Sequence, residues 1–191
     1  MKIRESGMPE QLTWETYFDA PVILAQLGLT ATCHDVVEFG CGYGTFTIAA
    51  AKRVLGTVYA LDIDSAMSQA VALRAASERL TNIECVRCDF VHDGTGLVDG
   101  AVDYAMLFNI LHTEDPVQLL REARRNIKSS GTVGVMHWNY DPATPRGPPM
   151  AMRPRPEDCQ RWAQAAGFEC GPTVELPPYH YGIVLTPANQ E

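Results

Sequence analysis

The chain has 191 residues, 46% hydrophobic and 20% charged, enough to bury an apolar core without staples and too apolar for a disordered or collagen-like chain. Fifteen Lys and Arg against 23 Asp and Glu give a net charge of −8. The basic stripe that a phosphate backbone demands is missing, so no nucleic acid and no anionic membrane surface is expected as partner.

In chain order, the opening MKIRESGMPEQLTW has no apolar run behind its basic residues, and no stretch reaches the ~18 apolar residues of a membrane span. A cytoplasmic location is expected, with the six irregularly spaced cysteines as thiols. The first 30 residues read as helical, with Trp14, Tyr17, Phe18, Ile23, Leu24 and Leu27 as the apolar set. Short apolar, β-branched runs follow at 36–39, 57–61, 83–86, 102–108 and 132–136, the pattern of strands covered on both faces. Between them, Thr45–Val54, Ser65–Leu80 and Pro116–Ile127 carry helical periodicity. Gly56 and Gly131 are expected in the left-handed conformation that ends a helix. Residues 139–156 hold six of the 13 prolines together with Arg146, Arg153 and Arg155, which predicts an irregular loop. A helix from Pro156 ends at Gly167, and a final strand is expected at Tyr181–Leu185. Strands alternating with helices predict a doubly wound α/β sheet.

The chemistry concentrates in Glu38-Phe39-Gly40-Cys41-Gly42-Tyr43-Gly44, which leaves the first strand and enters a helix. Glycines there allow a sharp turn and close approach of backbone to a ligand, and the helix N-terminus favours an anionic group. A dinucleotide site places its third glycine one residue later, where Thr45 stands, and Glu38 would repel a pyrophosphate. A nicotinamide or flavin site is therefore disfavoured. Glu38 instead suits a cation such as an α-amino group or a sulfonium. Asp62 lies 22 residues beyond the first glycine, the spacing at which an acid accepts hydrogen bonds from ribose hydroxyls. A ribose joined to a charged amino-acid end describes S-adenosylmethionine.

These segments resemble the class I S-adenosylmethionine-dependent methyltransferases. VVEFGCGYGTF is similar to the family's first motif, VYALDID to its second, VRCDF to the acid after the third strand, and VDYAMLFNILH to the fourth-strand motif. The resemblance covers about residues 36–186 and implies a Rossmann-like, mostly parallel seven-stranded sheet with the last strand antiparallel and helices on both faces. It implies one domain over 1–191: a helical cap at 1–35, a cofactor-binding core at 36–138, the proline-rich loop, and a C-terminal helix and strands at 157–191. It also implies roles. Glu38 would hold the methionine amino group, Gly40, Cys41 and Gly42 its backbone cradle, and Asp62 the ribose. Ile63 would pack on the adenine, Asp89 and the Phe90 backbone would read its amine, and Asn109 would close the site near the sulfonium. The Asn/Asp-Pro-Pro-aromatic motif of enzymes that methylate amide or adenine nitrogens is absent, so a small-molecule acceptor is expected, with a protein acceptor or a non-catalytic binding module as alternatives and a homodimer left open.

Other residues carry two readings. Cys41 is a small loop residue or a nucleophile. Cys85 and Cys88 supply only two ligands and point to opposite faces of a strand, so no metal is expected. His112, just past the fourth strand, is a cap, a core residue or a catalytic base, and His137 and Tyr140 share that ambiguity. Arg146, Arg153 and Arg155 are solvated loop charge or an anion-binding lid. Selectivity is assigned to the segment around Arg4 to Phe18 and to the loop at 139–156.

Overall fold

The computed structural model describes residues 9–188, so Arg4 lies outside the described residues. Two short helices open the chain, α1 (Gln11–Glu15) and α2 (Ala20–Gln26). Then come β1 (Val36–Phe39), α3 (Thr45–Ala51), β2 (Val58–Asp62), α4 (Ser65–Ser77), β3 (Ile83–Arg87), β4 (Val102–Phe108), α5 (Pro116–Asn126) and β5 (Ile127–Trp138). The chain closes with α6 (Pro156–Ala165), β6 (Phe168–Leu176) and β7 (His180–Pro187). The seven strands form one sheet in the order β3-β2-β1-β4-β5-β7-β6. β1 to β5 pair in parallel, while β7 runs antiparallel to both β5 and β6. Among the described residues no helix is long and apolar enough to cross a membrane.

Alternation along the strands builds two cores. In β4 and β5, Ala105, Leu107, Val133 and Val135 face the α5 and α6 layer, packed with Leu119, Leu120 and Ala163. Tyr104, Met106, Phe108 and Met136 face α2 and α3, with Ile23, Leu24, Phe46 and Ala50. Each fully buried large side chain contributes ~1.5–3 kcal/mol, so a one-residue slip of a strand would exchange the cores and is strongly disfavoured. Helix starts are set by side chains: Asp64 accepts from Ala66 N at 2.8 Å and Asp115 from Gln118 N at 2.9 Å, satisfying donors that a helix start leaves free.

Three expectations change. Gly56 and Gly131 do not adopt positive φ. They are required by close approach: a Cβ on Gly56 would lie 2.3 Å from the His34 carbonyl, and one on Gly131 2.9 Å from Ile127 Cβ. β5 begins at Ile127 rather than Thr132, directly at the end of α5. β6 supplies the seventh strand that the resemblance implies, but no apolar run marks its position, because FECGPTVEL carries Gly, Pro and charge on an exposed edge.

Candidate active site

Parallel pairing puts the carboxyl ends of β1 to β5 along one edge, the side where open α/β sheets bind ligands. The glycine turn after β1 sits there. Gly40, Gly42 and Gly44 have φ of 77, 50 and 76°, values that side chains resist. A Cβ on Gly44 would also lie 2.9 Å from Val71 Cγ2 of α4.

Glu38 is buried, 3% exposed, and faces α3, where the Thr47 hydroxyl donates to its Oε2. Burial drives its carboxyl up to about 8; the Thr47 hydrogen bond opposes that rise and the charge of Asp62 adds to it. Without a cation beside it, Glu38 is therefore largely protonated at neutral pH. Asp62, half-buried at the end of β2, accepts from Gly42 N at 3.0 Å and from Asp64 N at 2.9 Å, so its carboxylate staples the glycine turn to the second strand. A carboxylate has about four acceptor positions, which leaves capacity for a ligand's hydroxyls. Ile63 is half-buried beside it, and its carbonyl accepts from Arg87 Nε at 3.3 Å.

Asp89 and Phe90 follow β3 on the same edge. The Asp89 carbonyl accepts from His92 N and Asp93 N, at 3.0 and 2.8 Å, while the Phe90 ring is buried edge-on to Phe39, centroids 5.3 Å apart. Asn109, just past β4, has φ of 55°, a strained value that Asn tolerates better than most residues. Its N–H donates to Met136 O at 2.8 Å, and its side-chain Oδ1 is buried with no partner. The sequence-predicted set thus converges on one edge of the sheet. Cys41 is buried in the turn, and burial, then Glu38 and Asp62, push its thiol far above the ordinary range, which disfavours a nucleophilic thiolate.

A second group lies across β4. Trp138 ends β5, and β5–β7 pairing sets His180 opposite it. Tyr17, Tyr179, Phe18 and His180 surround the Trp138 ring at centroid distances of 5.6, 6.3, 6.5 and 4.2 Å. The sequence assigns selectivity to the segment that contains Tyr17 and Phe18 but reads their rings as the apolar face of a helix, so it does not join them to Trp138. An aromatic closing β5 beside the proline-rich loop was the available signal. α1 bridges the two groups: the Pro9 carbonyl, just ahead of it, accepts from Tyr43 Oη at 3.2 Å, and Glu15 pairs with Arg74 of α4 at 2.5 Å.

The loop at 139–156 is irregular apart from one turn at Met150–Met152. Arg153 is 7% exposed. It donates to the carbonyls of Asn139, Asp141, Arg146 and Pro148 and to the Thr144 hydroxyl. Its guanidinium is thus taken up by its own loop, and Gly147 allows the approach, because a Cβ there would lie 2.6 Å from Arg153 Nη2. Arg155 stands over the Tyr140 ring, 4.0 Å from its centroid.

Residues 36–131 match the model of the methyltransferase domain family. An uncharacterised 37.1 kDa protein of transposon TN4556 from Streptomyces fradiae is 32% identical over 109 residues, 56% of this chain; that stretch is 31% of the curated relative's own length. A methyltransferase dependent on S-adenosylmethionine from Aquifex aeolicus superposes with TM-score 0.81 at 23% identity, covering 92% of this chain and 93% of that one. Geranyl diphosphate C-methyltransferase from Streptomyces coelicolor A3(2) gives 0.72 at 16%, covering 97% and 86%. The [4+2]-cyclase SpnF gives 0.76 at 14%, covering 95% and 85%. These structural likenesses establish the fold; the cyclase among them means that the fold alone does not name the reaction.

Proposed function

The chain belongs to the methyltransferase-domain family, the class I S-adenosylmethionine-dependent enzymes, and we propose that it transfers a methyl group from S-adenosylmethionine to a small-molecule acceptor. The observation that carries this reading is the trio around the glycine turn: buried Glu38, Asp62 bound to the turn itself, and Asn109 with an unpaired, buried Oδ1. The trio fits a ligand that is cationic at one end and carries hydroxyls at the other. Glu38 would take the amino group, giving up its proton to form an ion pair. The backbone of Gly40, Cys41 and Gly42 would cradle the amino-acid portion, Asp62 would accept from the ribose, Ile63 would pack on the adenine, and Asp89 with the Phe90 backbone would read its amine. Asn109 would close the site. When bound, S-adenosylmethionine supplies an electrophilic methyl on a sulfonium sulfur that keeps the electron pair of the broken S–C bond.

What the chain itself contributes is alignment of the nucleophile, which can supply most of the acceleration, and a base where the nucleophile arrives protonated. We assign that role to His112. It lies four residues past β4, half-buried, with burial holding its imidazole below the ordinary value and therefore neutral at pH 7. The half-buried rings of Tyr17 and Tyr179 beside the buried Trp138, together with the net charge of −8, favour a compact, largely apolar acceptor over a polyanion. A solved relative named for geranyl diphosphate supports a small-molecule acceptor in the same fold.

Calorimetry with S-adenosylmethionine and S-adenosylhomocysteine tests the first half: both should bind, and well-folded protein that binds neither overturns the enzyme reading. Labelled-methyl transfer to pooled metabolites and pooled peptides tests the second. Incorporation into metabolites is expected; incorporation confined to peptides would make this a protein methyltransferase, and none into either would leave a binding module.

A further inference from the structure

Two imidazoles that the glycine-turn chemistry does not use meet behind the carboxyl ends of β4 and β5. His137 is fully buried in β5, on the face opposite Trp138. Its Nε2 lies 3.4 Å from His112 Nδ1, with the rings near perpendicular at 85°. Tyr181 of β7, directly across the ladder from His137, lies nearly parallel to its ring at 6.4 Å. The Tyr181 hydroxyl is committed elsewhere, donating to Pro154 O at 3.0 Å beside Cys159 Sγ at 3.3 Å, so it does not compete for the imidazole. A buried polar ring in contact with the only other imidazole on its face invites a reason beyond packing.

We propose that His137 is a positioning residue that accepts the Nδ1–H of His112, orienting that ring and leaving His112 Nε2 as the base for the methyl acceptor. The proposal rests on the methyltransferase reading above. His137 Nδ1 is buried with no hydrogen-bond partner, and the roles of the two facing nitrogens follow from the tautomer; with the proton on Nδ1, Nε2 presents its lone pair to His112. The groups facing the pair keep His137 neutral: burial dominates, and a proton on His137 would be further opposed by any charge on His112 or His180 and by the Arg153 guanidinium. A neutral His137 cannot donate from both nitrogens, which is what makes it an acceptor able to fix the neighbouring tautomer. In the transfer step the O–H or N–H proton of the acceptor passes to His112 Nε2. The electron pair of that bond stays on the nucleophilic atom, and the imidazolium later releases its proton to water.

The test uses long-range ¹H–¹⁵N correlation of the histidine rings in the full chain, which reads the tautomer without a known acceptor. Wild-type His112 should carry its proton on Nδ1. His137→Phe should shift it toward Nε2–H, the form that an unconstrained imidazole prefers. His137→Gln, whose amide oxygen also accepts, should retain Nδ1–H. An Nε2–H tautomer in wild type, or no change in His137→Phe, overturns the proposal; if the Phe variant fails to fold, wild type and His137→Gln still decide it. With an acceptor from the methyl-transfer screen, His112→Gln should lose about a hundredfold in kcat and His137→Phe about tenfold, largely recovered in His137→Gln, with the KM for S-adenosylmethionine unchanged. Equal losses in both His137 variants would overturn it as well. Failure of wild type to bind S-adenosylmethionine would end the methyltransferase reading while leaving the tautomer result intact, so the two failures are distinguishable.

Discussion

The two sides of β4 are built differently. On the cofactor side, contacts are local in sequence: Thr47 reaches Glu38 over 9 residues and Gly42 reaches Asp62 over 20. The groups are charged, and the geometry is set by glycines with positive φ. On the side that we assign to the acceptor, Tyr17, Trp138 and Tyr179 come together from three distant segments, and Arg153, the one buried Lys or Arg among the described residues, serves its own loop. The glycine-turn side is built from short loops, whereas the aromatic cluster around the buried Trp138 is assembled by packing. Titration differs too: burial raises Glu38 on one side and lowers His137 and His180 on the other, so it favours the neutral form of these three groups by opposite shifts.

Arg153→Ala should break the acceptor side alone, with the largest effect. It removes a buried guanidinium that donates to five residues from Asn139 to Pro148 and so unties the loop, for a loss of about 1.5–3 kcal/mol in denaturant unfolding. Limited proteolysis should then cut within 139–152, while affinity for S-adenosylmethionine stays within about twofold of wild type. An equal loss of cofactor affinity would mean that the two sides behave as one unit.

Asp62→Ala is the converse. It removes the acceptor for Gly42 N and for the ribose together, and calorimetry should show at least tenfold weaker binding, from charge-assisted hydrogen bonds worth ~1.5–3 kcal/mol. Unchanged affinity would refute the ribose role.

pH separates the sides without mutation. The His180 imidazole, pushed down to about 3 by burial and then by Arg153, contributes stability that is intact above its ordinary 6.5 and lost as pH falls toward 3; His137 acts in the same direction. Glu38, raised from 4.5 to about 8, contributes stability that is intact below 4.5 and lost as pH rises toward 8. Acid below about pH 6.5 should therefore weaken the acceptor side, and a rise from about 4.5 to 8 the ligand-free cofactor side. Because an ammonium partner favours ionised Glu38, affinity for S-adenosylmethionine should rise several-fold between about pH 6 and 7.5, with proton release measurable in buffers of different ionisation enthalpy. Glu38→Gln should flatten both dependences; a slope retained in that variant assigns it to another group.

The same contrast explains how much was legible in the sequence. Strand and helix alternation, the glycine turn and Asp62 each depend on residues within a short window, and all stand where the spacing places them. Gly56 and Gly131 were misread because their reason is a distant neighbour, the His34 carbonyl and Ile127, which no local pattern carries. β6 hid because an exposed edge strand needs no apolar alternation. Arg153 could not be told from Arg146 or Arg155 by type; only the fold of the loop around it distinguishes them. The aromatic wall was illegible because Tyr17 and Trp138 are joined by the pairing of β5 with β7 and by the path of α1, and a helix-face reading of Tyr17 fits equally well.

Tyr17 supplies the smallest and most selective test. It is half-buried, on the connection between two short helices, α1 with no buried residue and α2 with three. Its ring meets Trp14, Phe18, Trp138 and Tyr179 at 5.6 to 6.5 Å. Tyr17→Leu keeps an apolar side chain of similar reach and forfeits only the edge-to-face geometry, for a stability loss of about 1 kcal/mol in thermal or denaturant unfolding. Affinity for S-adenosylmethionine should be unchanged, because Tyr17 touches neither the glycine turn nor Asp62. Among acceptors found by the screen, the KM of aromatic ones should rise a few-fold and that of aliphatic ones should not, since only the former use the ring faces. A uniform rise across acceptors would make Tyr17 a packing residue and move the selectivity to the proline-rich loop; weaker cofactor binding would mean that α1, through Pro9 and Tyr43, couples the two sides.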